Sequence, residues 1–109
     1  MILNDGSDLV LMGYKTEGRG IALLTINGGR SEVMGGVLNI GRTGEKAFVA
    51  RDAEMRIATA THGWLPGAYY RTAISHSRKD ENIEIRAEDM PTRSFDKSRG
   101  PQYMIPLYK

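Results

Sequence analysis

The chain contains no cysteine among its 109 residues. Disulfide staples, thiolate nucleophiles and cysteine-built zinc sites are therefore excluded, while the redox compartment stays open. Histidine is nearly as scarce: His62 and His76 are the only two, too few for a histidine metal site without carboxylate help. No apolar run approaches the ~18 residues of a membrane span. The opening Met1-Ile2-Leu3-Asn4-Asp5 lacks the basic and apolar segments of a secretory signal, so no targeting or anchoring element is expected. A charge surplus is missing as well. Fifteen Lys and Arg face 13 Asp and Glu, a net charge of +2, which gives nucleic-acid binding no electrostatic support. What remains, 40% hydrophobic and 26% charged residues with 7% aromatics, is the composition of one ordinary folded domain.

Glycine and proline divide the chain. Ten of the 13 glycines lie between Gly6 and Gly44, and all four prolines follow residue 65. In the glycine-rich half, short Val-, Ile-, Leu- and Thr-rich runs at Leu9–Tyr14, Ile21–Ile26, Ser31–Ile40, Ala47–Ala50 and Met55–Thr61 read as strands. The breaks between them, Gly18-Arg19-Gly20, Asn27-Gly28-Gly29 and Gly41-Arg42-Thr43-Gly44, supply the positive-φ positions that tight turns need. Residues 47–60 also fit a helix with Val49, Ala53, Ile57 and Ala60 on one stripe. An internal echo favours strand-turn-strand there: ALLTINGGRSEVMGG (22–36) overlays AFVARDAEMRIAT (47–59) when two positions are deleted. Ala22 falls on Ala47, Leu24 on Val49, Asn27 on Asp52 and Val33 on Ile57. A repeat of about 25 residues with two or three strands per unit is the signature of a β-solenoid coil, and hairpins of an antiparallel β-sandwich are the alternative.

After Trp64-Leu65-Pro66-Gly67, a turn, the runs Ala68–Ser75 and Asn82–Arg86 read as a hairpin around a charged loop at residues 77–81. Glu88 to Lys109 reads as an extended tail, with Tyr103–Tyr108 too apolar to float free.

Few residues here carry chemistry. The carboxylate pairs Asp52/Glu54 and Glu88/Asp89 have the character of a solvated face. His62 follows a Thr-rich strand end and precedes Gly63-Trp64, while His76 sits between Ser75 and Ser77; no G-x-S-x-G elbow exists and both read as turn residues. The glycines do not form a phosphate loop, since G-x-x-x-x-G-K-[ST] is absent. Arg93, Lys97 and Arg99 read as solvated charge. The remaining cluster is Trp64, Tyr69, Tyr70 and Arg71, whose aromatic faces either stack on sugar rings or anchor a core or interface. No catalytic residue, metal site or cofactor is expected.

GYKTEGRGIALLTINGGRSEVMGG (13–36), continuing into AFVARDAEMRIATAT, resembles the closing coils of right-handed parallel β-helix proteins of the pectate-lyase-like superfamily, which includes phage tailspikes and bacterial polysaccharide-degrading enzymes. Tyr70-Arg71-Thr72, NIEIR and Met104-Ile105-Pro106-Leu107-Tyr108 are similar to the C-terminal end of such proteins. The resemblance implies an all-β fold: right-handed parallel β-helix coils over 1–65, then a hairpin and extended capping tail over 66–109, in one cooperative domain. It places the catalytic coils of such enzymes upstream of Met1, so no catalytic residue carries over. The implied function is a non-catalytic assembly module, the terminal part of a carbohydrate-active β-helix, touching polysaccharide through Trp64, Tyr69, Tyr70 and Arg71. A small polysaccharide lyase or glycoside hydrolase is the alternative. The expected partners are copies of the chain, as a trimer by analogy with tailspikes, or an upstream β-helix chain, without nucleic acid or membrane.

Overall fold

The chain turns from one sheet to the other at residues that adopt a left-handed backbone: Gly6 (φ 71°), Asn27 (φ 55°) and Asp52 (φ 49°). Each short polar or Cβ-free residue can take that conformation at low cost. The computed structural model describes residues 1–18, 20–96 and 100–109, and the side chains of these except 92–96 and 100–102. Arg19, Lys97 and Arg99 thus lie outside the described residues, as does the side chain of Arg93.

Three successive coils each contribute to two sheets. The first runs through β1 (Ile2–Asp5), β2 (Asp8–Met12) and β3 (Lys15–Glu17), the second through β4 (Leu23–Ile26) and β5 (Arg30–Ile40), the third through β6 (Gly44–Arg51) and β7 (Glu54–Gly63). β8 (Tyr70–Arg78) then opens a fourth turn, β9 (Glu81–Arg86) folds back on it, and β10 (Thr92–Asp96) and β11 (Gly100–Tyr108) close the chain. One sheet has the order β1-β4-β6-β8-β9; the other runs β10-β11-β7-β5-β2, with β3 also on β5. All ladders between coils are parallel, so the fold is a β-solenoid of about three turns and not an antiparallel sandwich. The helix that residues 47–60 could form is absent: they lie in β6 and β7.

The internal echo is the stacking register. Leu24 lies beside Val49 and Val33 beside Ile57, and the Ala22 N–H donates to the Ala47 carbonyl at 2.8 Å. Both deletions have a place. One falls in the corner, where Asn27-Gly28-Gly29 stands over Asp52-Ala53; the other is a bulge, where Gly35 and Gly36 interrupt the pairing of β5 between Met34↔Ala58 and Val37↔Ala60.

Stacked side chains form the core. Ile2, Leu23, Phe48 and Ile74 stand in one column, and Leu11, Val33 and Ile57 in another on the facing sheet. Leu23, Phe48, Ile74, Val33 and Ile57 are fully buried, each contributing about 1.5–3 kcal/mol of burial free energy. A polar column, Asn4, Thr25, Ala50 and His76, runs beside the first. The Asn4 Nδ2, with two hydrogens to give, lies 2.9 Å from the Ser7 and Arg30 carbonyls and from the Ser31 hydroxyl, and its Oδ1 accepts from the Ser7 N–H at 3.1 Å. A buried amide with this many partners fixes the first corner rather than destabilising it.

His76 is a core residue, not a turn residue. Its Nε2 lies 2.7 Å from the Ala53 carbonyl, which can only accept, so Nε2 carries a hydrogen, and Nδ1 shares a hydrogen bond with the Tyr108 hydroxyl at 2.7 Å. This ties the last strand to the fourth turn. The expected charged loop at 77–81 is also tighter than its composition suggests. β8 extends to Arg78, and only Lys79, with φ 47°, and Asp80 separate it from β9. The tail docks: Met104 and Ile105 pair antiparallel with Ala60 and Thr59 of β7.

Candidate functional site

The two ends of the solenoid differ. At the C-terminal end, the edges of β8 and β7 are covered by the antiparallel strands β9 and β11. The new edge on β9 exposes Glu81, Asn82, Glu84 and Arg86, charged groups of the kind that discourage edge-to-edge pairing. At the N-terminal end, among the described residues, β1 pairs only with β4, while β2 and β3 pair only with β5.

That open coil is apolar. Of the nine exposed large hydrophobic residues among the described ones, Met1, Leu3, Val10 and Met12 lie within its first 12 positions. Met34, a fifth, stands beside Met12 in the next coil. Met12 is the most exposed of all at 82%. Ile2, Leu9 and Leu11 are half-buried against the core, forming its unfinished ceiling. The coil is nonetheless built, because Asn4 holds its corner and Arg30 reaches Asp8 at 3.2 Å across the strands.

The residues expected to form a glycan platform are split up by the structure. Trp64 follows β7 at the opposite corner, where its N–H donates to the Ile40 carbonyl at 3.3 Å. Its ring lies on Gly41, so close that a Cβ there would stand 2.9 Å from Cζ2. Half exposed, the indole lines a shallow apolar recess of about 440 Å³ with Gly18, Gly41, Arg42 and Leu65. Tyr69 is half-buried against the core. Tyr70 is inside, 1% exposed, and its hydroxyl donates to the Gly20 carbonyl at 2.7 Å. Its ring is thereby withdrawn from the surface, and burial, with neighbouring Tyr14 second, pushes its hydroxyl pKa up to about 12. Arg71 is exposed and lies 3.7 Å from Glu45. Trp64 is the one member of the cluster that offers an open aromatic face.

Several carboxylates are engaged at the surface. Glu54 stands beside Arg30 in register, Glu32 meets Arg56 at 3.5 Å and Glu88 meets Arg86 at 3.2 Å. Asp52 accepts from the Lys79 N–H at 3.4 Å. A cluster that the sequence did not suggest joins three strands: Lys46 Nζ lies 3.0 Å from both Ser75 Oγ and Glu84 Oε1, and Ser75 donates to Glu84 at 2.6 Å. Burial pushes the Glu84 pKa up, but hydrogen bonds from Ser75 and Lys46 and the charges of Lys46 and Arg86 outweigh it and hold the carboxyl below its ordinary range. The Ser75 hydroxyl accepts from Lys46 and gives its hydrogen to Glu84, the opposite of the bond a lysine base makes to a serine nucleophile. Among the described residues, no group of three or more His, Cys, Asp and Glu is placed to hold a metal ion.

Comparison with known protein families, with curated proteins and with solved structures found no match for the chain. The site therefore rests on its own geometry. The inward turn of Tyr70 was not legible in the sequence, because Tyr69 and Tyr70 alternate across a strand start whose phase is set only by the stacking of β8 on β6.

Proposed function

We propose that this protein is a non-catalytic assembly module that works by stacking its open N-terminal coil against further β-structure. The observation that carries this reading is the contrast between the ends: a capped, charged C-terminal end against unpaired strand edges flanked by Met1, Leu3, Val10 and Met12. Unpaired edges bordered by apolar side chains are adhesive and are normally blunted or covered. The ion-paired carboxylates and the ionised Glu84 favour this reading over a lyase or hydrolase, which needs a carboxyl held protonated or poised as a base.

In this reading the chain is built like the closing coils of the pectate-lyase-like and tailspike proteins that its sequence resembles, and serves as the terminal piece of a carbohydrate-active assembly. Trp64, with one face on Gly41 and the other open, supports a contact with polysaccharide at the far corner.

Amide hydrogen exchange tests the stacking. The amides of Asp8, Val10 and Met12, which β5 does not engage, should be protected at high protein concentration and lose that protection on dilution. Free exchange of these amides at every concentration would contradict the reading.

A further inference from the structure

We infer that the partner of the open coil is a second copy of this chain, joined N-terminal end to N-terminal end about a two-fold axis through Val10. The inference rests on the assembly reading above and names its partner. Its basis is the backbone of β2. The Arg30 N–H donates to the Ser7 carbonyl and the Gly13 N–H to the Met34 carbonyl, so in the alternation of a parallel ladder the odd residues of β2 face β5. The N–H and C=O groups of Asp8, Val10 and Met12 point to the free edge.

An antiparallel pair centred on Val10 uses all six of these groups. Val10 of each copy donates to Val10 of the other, and Asp8 and Met12 exchange hydrogen bonds across the axis. The same register sets Leu9 of one copy opposite Leu11 of the other, joining the half-buried ceilings of the two cores. Within the β2 pair no like charges meet, because Asp8 stands opposite Met12 and already has Arg30 as its partner.

A head-to-tail arrangement lacks a matching surface. At the C-terminal end β9 runs against the direction of the coils while β10 runs with it, so β1 and β2 cannot both find the same kind of edge there. The area suffices. The principal extents are 39 × 28 × 21 Å, and even the smallest cross-section offers on the order of 600 Å² per copy, about 1,200 Å² in all, the lower bound for a stable specific interface. An isologous contact of this kind closes on itself and does not propagate into fibres.

Two variants test the axis. Val10→Pro removes only an N–H that points away from β5, and proline is tolerated on an edge; it should halve the molar mass from twice 12.1 kDa while the far-ultraviolet circular dichroism stays unchanged. Val10→Cys, in a chain with no other cysteine, should form a disulfide-linked dimer under mild oxidation, since paired Cα atoms about 5.5 Å apart lie within disulfide range. Leu107→Cys, equally exposed on β11, should not. A trimer, or a dimer that survives Val10→Pro and does not cross-link through Val10→Cys, would overturn the two-fold pairing and leave the assembly reading standing. A wild-type monomer at all concentrations would overturn both.

Discussion

Gly36 passes directly beneath Tyr14 of the preceding coil: a Cβ on Gly36 would lie 1.9 Å from the Tyr14 carbonyl oxygen and 2.6 Å from its nitrogen. The bulge that carries Gly36 thus fits only because that position has no side chain, and the Val37 N–H donates to the same Tyr14 carbonyl at 2.9 Å. Neighbouring Gly35 shares the left-handed backbone, with φ 72°, but has open space around it. The pair separates conformational cost from collision. Gly35→Ala should cost about 1–2 kcal/mol for its backbone alone, and Gly36→Ala distinctly more, about 3 kcal/mol or above, because backbone must move. Urea unfolding of the two variants checks the order; equal losses would mean that the coils do not approach as described.

Val33 is fully buried between Leu11 and Ile57 in the stacking register. Val33→Asp places a carboxylate there with no partner, at a cost of several kcal/mol. The variant should lose its cooperative unfolding transition. A folded, unchanged protein would contradict the register.

Alkaline pH should loosen the fold. Burial, with Tyr14 as a second cause, raises the Tyr70 pKa to about 12, and burial likewise raises those of Tyr103 and Tyr108. The unfolded chain releases these protons near pH 10 while the folded one still holds them, so their stabilisation is complete below about pH 10 and falls as pH rises toward 12. Tyr70→Phe should therefore flatten this fall, while costing about 1 kcal/mol at neutral pH through loss of the bond to Gly20. Unfolding free energy measured from pH 8 to 12 for both proteins decides it.

Trp64 lies on Gly41 without entering the core, so Trp64→Ala should leave the fold intact and abolish any binding of polysaccharide. Affinity electrophoresis in polysaccharide gels, read beside circular dichroism, checks this. Retardation equal to that of the unaltered protein would remove Trp64 from a role in recognition.

The coils were legible in the sequence because stacking repeats the same demand at each turn. Leu24 and Val49, or Asn27 and Asp52, occupy equivalent positions and so have similar chemistry. What pairs unlike residues left no such trace. The His76 contacts with Ala53 and Tyr108, the Lys46–Ser75–Glu84 cluster and the burial of Tyr70 each depend on how the last strands fold back across the coils. The tail shows the same limit: its apolar residues announced that it docks, but its strand direction and its partner β7 follow from where the third coil ends.

The most direct test of the account is the molar mass in solution, measured by light scattering on a size-exclusion column across a range of concentrations. A defined assembly of twice the 12.1 kDa of the chain, with the N-terminal edges covered, is the expected result. A monodisperse 12.1 kDa species at every concentration would mean that the open coil stands alone in water, and would contradict the assembly function.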